Sequence, residues 1–232
     1  ELVLFVAGNH EFYNDYGRPA GGTWRPHSVA EQTQWMKDVC AERPNIRFLE
    51  KDSLDLCGVR VCGTTLWSFI PVNHLREAEK SLNDYRLSYN HGAGEMPRTL
   101  TAYQTTSWFV KNLNWLRGQI KDARERKMPV LVLTHHTPKT LGTSHPRFDG
   151  SSMNCCFSTD LTDMLSDPVK VWACGHTHYN FDIECTASGS GQAVRLVSNQ
   201  RGYPDRPNLD YRPDGVVVEI SADSLGGRSG EG

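Results

Sequence analysis

"LVLFVAGNHEFY", residues 2–13, is an apolar run of strand length that breaks at Gly8 and presents Asn9, His10 and Glu11. The same construction occurs twice more. "MPVLVLTHHTP", residues 128–138, is an apolar strand followed by His135 and His136, and "PVKVWACGHTH", residues 168–178, is one followed by Gly175, His176, Thr177 and His178. In α/β sheets ligands sit beyond the carboxyl ends of strands, so polar groups at three such ends converge on one place. Imidazole suits Mn, Fe, Zn or Ni, and glycine ahead of a ligand lets the backbone turn sharply. On an extended chain His176 and His178 share one side, so they can bind one metal or give one ligand to each of two. Singly, each motif has an ordinary explanation: Gly-Asn-His as a turn, His-x-His as a partly exposed pair, His135-His136 as a helix cap and a surface group. Their shared placement after apolar strands favours the joint reading.

Around these motifs the chain reads as α/β. Residues 2–6, 46–49, 53–57, 59–65, 129–133, 181–186, 193–198 and 215–221 read as strands, as does the apolar start of "PVKVWACGHTH", with Gly58 as a hairpin turn. "DGVVVEIS" alternates poorly, which fits a well-covered strand. Residues 28–42 form a helix opened by Pro26 and Ser28 and ended by Pro44. Asn73 to Lys80 can hold a short helix. Leu100, Tyr103, Ser107, Val110, Leu113, Leu116, Ile120 and Ala123 step by three or four, predicting one long amphipathic helix, basic at its C-terminal end. "STDLTDML", residues 158–165, predicts a short helix capped by Ser158 or Thr159. Residues 14–26, 71–98 and 139–158 read as loops or mixed polar segments that shape specificity. With no solenoid repeat and no linker, residues 1–223 read as one domain and 224–232 as a flexible tail.

The 232 residues suffice for one domain with a substantial core, and a hydrophobic fraction of 38% with recurring large side chains is not a disordered composition. A net charge of −2 without a basic stripe gives no nucleic-acid footprint. No apolar run reaches the roughly 18–20 residues of a membrane span, and no signal peptide opens the chain. Seven cysteines, an odd count without Cys-x-x-Cys, argue against a disulfide framework or zinc knuckle and for a reducing, cytoplasmic compartment. Cys57 and Cys62, flanking the hairpin turn, read as buried small apolar residues. The vicinal pair Cys155-Cys156 is assigned no chemistry.

"GNHE", "THHTP" and "GHTH", in this order and each after an apolar strand, resemble the last three metal-site motifs of calcineurin-like metallophosphoesterases. "VRVCGTTLWS" (59–68), "NDYR" (83–86), "SNQRGYP" (198–204) and "DGVVVEI" (214–220) resemble the small single-domain soluble members, so the likeness spans residues 2–221. It implies a β-sandwich flanked by helices in four layers, α/β/β/α, with two divalent metal ions (Mn, Fe, Zn or similar) at the strand ends. By the same resemblance Asn9, His135 and His176 bind one metal and His178 the other. His10 stands over the phosphate as general acid or transition-state stabiliser, and His136 is at most a supporting residue. Glu11 matches the usual acidic position without being a ligand. The implied reaction is hydrolysis of a phosphate mono- or diester, in a small molecule or a phosphoprotein, by hydroxide on the dinuclear centre with His10 protonating the leaving oxygen. Arg201 could meet the anionic substrate, although a solvated surface arginine is the commoner situation.

The family's two earlier motifs, Asp-x-His and Gly-Asp-x-x-Asp, occur nowhere in this sequence. The domain is therefore expected to be N-terminally incomplete, a fragment of a longer phosphoesterase. The alternatives are a non-catalytic scaffold or interaction module on the same fold, and a mononuclear zinc hydrolase using His135, His176 and His178.

Overall fold

The computed structural model describes residues 1–14, 25–187, 189 and 191–221. The expected tail, 224–232, and most of the loop expected at 14–26 lie outside the described residues. Strand β1 (Val3–Phe5) is followed by helix α1 (Val29–Ala41), β2 (Ile46–Phe48), β3 (Asp52–Leu56) and β4 (Val59–Thr64). Helices α2 (Leu75–Ser81), α3 (Asp84–Leu87) and α4 (Ala102–Glu125) come next, then β5 (Val130–Thr134), β6 (Val169–Ala173), β7 (Phe181–Cys185) and β8 (Val194–Ser198). Six strands form one sheet in the order β3-β4-β5-β6-β8-β7, and β1 and β2 form a separate parallel pair. Within the larger sheet β4, β5, β6 and β8 are parallel, and β3 and β7 lie antiparallel at its edges. This is the mixed α/β architecture that the sequence predicts.

Strand β4 is buried along its whole length because it has a layer on each side. Residues 60, 62 and 64 share one face of a strand. Arg60 reaches Asp122 of α4, and Asn112 of α4 donates to Thr64 and, at 2.8 Å, to Glu50 Oε1. Gly63 points the other way. A Cβ there would stand 2.4 Å from Leu49 Cβ, just beyond β2, so only glycine permits this approach. The rings of Phe5 of β1 and Phe48 of β2 pack at a tilt with centroids 5.4 Å apart, and α1 packs on β2. The layers therefore run α4, six-stranded sheet, β1–β2, α1.

Thr65 joins the two sheets at their carboxyl ends. Its hydroxyl donates to Ala7 O at 2.9 Å, and its carbonyl accepts from both His135 N and His136 N at 3.2 Å. Trp172, fully buried on β6, donates to Thr134 Oγ1 at 2.9 Å, and that hydroxyl donates to His136 O at 2.7 Å. In this chain of contacts the Thr65 and Thr134 hydroxyls and the Trp172 indole N–H have partners, whereas the buried His136 Nδ1 has none.

Both main helices begin with a reciprocal capping box, Ser28 with Glu31 and Thr101 with Gln104. The buried face of α4 is Ala102, Thr105, Phe109, Asn112, Leu116, Ile120 and Ala123. Tyr103 and Val110, expected on that face, are 70% and 43% exposed. The face is rotated because Thr105 and Asn112 are buried in spite of their polarity. Thr105 bonds Tyr85 Oη at 3.0 Å and Ala102 O at 3.1 Å, and Asn112 has the partners named above.

Three further expectations are corrected. Residues 158–165 hold only a 3-10 turn, Thr162–Met164, whose N-cap Leu161 makes no side-chain cap; Asp160 accepts from Thr162 N at 3.0 Å, and Thr159 accepts from Phe69 N at 2.8 Å. Residues 215–221 form no strand and pair with none among the described residues; Arg195 Nη1 donates to Val217 O instead. Cys57 is exposed, because it occupies the hairpin turn itself with φ at 50°, whereas Cys62 is buried. All seven cysteines are free thiols. Among the described residues no helix is long and apolar enough to cross a membrane.

Leu116 is fully buried on α4, so Leu116→Ala should lower the unfolding free energy in urea by about 2–5 kcal/mol. Arg60 holds the Asp55 and Asp122 carboxyls below the ordinary carboxylate range, chiefly by hydrogen bonding. A depressed carboxylate contributes stability that is complete above its unfolded value and lost as pH falls through its folded value. Thermal unfolding of the Arg60→Met variant should therefore lose less stability than the parent on acidification below about pH 4.

Candidate metal centre and active-site cleft

The three strand ends open into a cleft of about 960 Å³. At its floor Asn9, His135 and His176 meet. His135 Nε2 lies 2.8 Å from Asn9 Oδ1 and 3.0 Å from His176 Nδ1. Asn9 sits at the start of a 3-10 turn, His10–Phe12, whose Glu11 carboxylate accepts from Gly8 N at 2.6 Å. Gly8 is needed for space, not for the turn. A Cβ there would lie 2.5–3.0 Å from three atoms of the His135 ring. Gly175 N donates to His135 O at 2.9 Å, bringing the third motif alongside the second.

His176 and His178 are not on an extended strand, as the sequence reading assumed. Strand β6 stops at Ala173, and both histidines take left-handed φ, 71° and 51°. The chain curls there, with Thr177 N donating to Gly175 O at 2.9 Å. The two imidazoles therefore part. His176 faces His135, and His178 turns edge-on to Tyr203 with ring centroids 4.5 Å apart. Asn9, not His178, is the third member at the His135–His176 pair, so the single-zinc set His135–His176–His178 is not gathered. Gln200 clamps this loop. It accepts from His178 N at 2.8 Å, and its amide donates to Thr177 Oγ1, Tyr179 O and Ser198 Oγ at 2.8–3.2 Å.

Burial, reinforced by the neighbouring histidines, pushes His135 and His176 well below the ordinary imidazole value of about 6.5. Both are neutral near pH 7, the state in which imidazole ligates metal. The floor then has an unresolved proton count. His135 Nε2 cannot donate to Asn9 Oδ1 and accept from His176 Nδ1 at once, so in either tautomer one of the two contacts lacks its hydrogen bond. A cation between the three atoms removes that conflict. The donor set therefore fits one divalent ion. For a second ion the described residues offer His178, and among them no three His, Cys, Asp or Glu side chains gather as a metal-binding group.

His10 is exposed at the cleft, its ring 4.4 Å from that of Tyr13, and its Nε2 bonds Tyr203 Oη at 3.0 Å. His136 is buried between Trp67 at 5.4 Å and His176 at 4.1 Å, and burial pushes its value down to about 3. It is packing beneath the floor. Arg201 is exposed and outside the cleft lining; Arg86, Arg147 and Arg206 line it. One wall is the segment between β5 and the 3-10 turn at Thr162, which supplies His145, Phe148, Met153 and Phe157. It is tied at its neck by Thr159 N to Thr137 O at 3.2 Å and Leu161 N to Pro138 O at 2.8 Å.

Asp84 and Tyr13 were not singled out as site residues. Asp84 is buried behind Asn9, and both residues bond the Asn9 amide. The sequence signal was "NDYR", which carried the resemblance but no chemistry of its own.

The calcineurin-like phosphoesterase family model matches residues 2–180. An uncharacterized protein of Acanthamoeba polyphaga mimivirus, L509, is 29% identical over 214 residues, covering 90% of this chain and 70% of the viral protein. The phosphopantetheinyl hydrolase of Mycobacterium tuberculosis superposes with a TM-score of 0.59 at 15% identity, covering 94% of this chain and 78% of the hydrolase, a likeness of fold.

Gly8→Ala should displace the His135 ring and weaken Mn²⁺ binding, read by calorimetry, about 10–100-fold. Gly175→Ala places its Cβ 3.7 Å from His135 and should leave binding nearly unchanged.

Proposed function

Because the chain belongs to the calcineurin-like phosphoesterase family, whose members hydrolyse phosphoesters, we propose that it acts at this cleft as a metal-dependent hydrolase of a phosphate mono- or diester. The observation that carries the reading is the meeting of Asn9 Oδ1, His135 Nε2 and His176 Nδ1 at the cleft floor. These three would hold one divalent ion, and His178 would contribute to a second. Such ions, when bound, supply Lewis-acid chemistry at the phosphoryl oxygens and acidify coordinated water.

The protein's own groups do the rest. His10, standing at the cleft with Nε2 on the Tyr203 hydroxyl, donates a proton to the leaving oxygen as the ester bond breaks. Arg86, Arg147 and Arg206 give the walls the charge that suits an anionic substrate, with the organic part lying against Phe148, Met153 and Phe157. A cleft of about 960 Å³ admits a small-molecule phosphoester or a phosphorylated side chain. The structural neighbour's activity makes phosphopantetheinyl esters a class to include in any screen. Manganese is the first ion to try, since mixed amide and imidazole donors suit it as well as iron or zinc. Seven free thiols favour a reducing, cytoplasmic setting.

A non-catalytic module on the same fold is the second reading, favoured by the single histidine offered to the second ion. Turnover decides between them. With Mn²⁺ the protein should cleave an aryl phosphate mono- or diester, and His10→Ala should lower turnover about 10²–10⁴-fold with Mn²⁺ affinity unchanged. Turnover that is independent of metal, or unaffected by His10→Ala, would refute the mechanism. Tight Mn²⁺ binding without turnover of any phosphoester would favour the module.

A further inference from the structure

We propose that Asp84 is a positioning residue that fixes the amide of Asn9 so that its oxygen, and not its nitrogen, faces the metal-binding histidines. The inference rests on the metal-centre reading above and concerns how its oxygen ligand is held. An asparagine side chain is nearly symmetric in shape, and nothing in packing alone distinguishes Oδ1 from Nδ2. With the amide reversed, two N–H groups would point at His135 Nε2 and His176 Nδ1, and no cation could sit there.

The contacts behind Asn9 remove that freedom. Asn9 Nδ2 donates to Asp84 Oδ1 at 3.0 Å and contacts Tyr13 Oη at 3.1 Å, while Tyr13 Oη donates to Asp84 Oδ2 at 3.1 Å. All three residues are buried. An ionised carboxylate only accepts, so it selects the nitrogen face of the amide and turns the oxygen toward His135 at 2.8 Å. No Lys or Arg pairs with Asp84 among the described residues; burial pushes its carboxyl up, and the hydrogen bonds from the Asn9 amide and the Tyr13 hydroxyl, with His10 farther off, favour the charged form against that. A carboxylate that bonds a ligand's far end both orients the ligand and raises the electron density at its donor atom. The local sequence allows this because "NDYR" forms the one-turn helix α3, Asp84–Leu87, against the His10–Phe12 turn, where Leu87 O accepts from Asn14 N at 2.8 Å.

The test uses the full chain and Mn²⁺ as probe. Asp84→Asn keeps the shape, loses the charge and can offer either amide face to Asn9. It should weaken Mn²⁺ binding by calorimetry about 10–100-fold at unchanged thermal stability. Tyr13→Phe, which leaves the Asn9–Asp84 contact in place, should weaken it less, by about three- to tenfold. A second readout needs no metal. The Asn9 side-chain NH₂ protons, resolved by NMR, should exchange slowly in the parent and in Tyr13→Phe, and rapidly in Asp84→Ala. Mn²⁺ affinity unchanged in Asp84→Asn, or rapid exchange in the parent, overturns the proposal. A parent that binds no Mn²⁺ but still shows slow Asn9 exchange overturns the metal-centre reading while supporting the orienting role of Asp84. If Asp84→Asn does not fold, Tyr13→Phe and the parent's exchange rate decide.

Discussion

Thr65 is the residue on which the site depends. Two sheets, one of six strands and one of two, each deliver part of the ligand set, and nothing in their separate hydrogen-bond ladders places one against the other. The Thr65 hydroxyl takes the carbonyl of Ala7 and its carbonyl takes two successive amides, those of His135 and His136. A single residue just past β4 therefore sets the spacing between the Asn9 turn and the His135 turn. The contact of Gly63 with Leu49 and the absence of a side chain at Gly8 let the two layers come that close. Without this join the Asn9 turn would be separated from the His135–His176 pair, which the six-stranded sheet holds together by itself.

Much of this was legible in the sequence, and the misses have physical causes. Long apolar runs before His135 and His176 gave β5 and β6, because a strand buried on both faces reads as continuous hydrophobicity. The capping box of α1 was marked in part by Ser28, two residues after Pro26, whereas the Thr101 cap of α4 was not read. The buried face of α4 was misjudged because hydrophobic counting excludes Thr105 and Asn112, which are buried through partners distant in sequence. Residues 215–221 misled for the opposite reason. Val216, Val217 and Val218 favour a strand by composition, but a strand also needs an edge that will pair with it.

At the site the residues alone left open whether His176 and His178 share a metal, whereas the resemblance put His176 with Asn9 and His135, where the three side chains meet. His-x-His on an extended chain shares a face, and the left-handed φ at His176 and His178 removes that rule. Such conformations cost a non-glycine residue of order 1–3 kcal/mol and persist where surrounding contacts impose them, here the Gln200 clamp. Gly8 was noticed for the wrong property, turning rather than close approach. Asp84 was passed over because a buried acid 75 positions from Asn9 leaves no local trace in sequence.

The wall between β5 and the Thr162 turn has its two ends fastened at Thr137 and Thr159 and at Pro138 and Leu161, while the floor is fastened elsewhere, at Thr65. The entropy of closing such a loop grows only with the logarithm of its length. Segments of other lengths could therefore be spliced in at the same neck with little effect on the folded scaffold. The wall is, in evolutionary terms, an exchangeable cassette: lineages can rewrite which molecules enter without touching Asn9, His135 or His176 at the floor. Divergence of specificity among proteins of this architecture would then be concentrated between residues 138 and 161, and the strand-end motifs would change far more slowly.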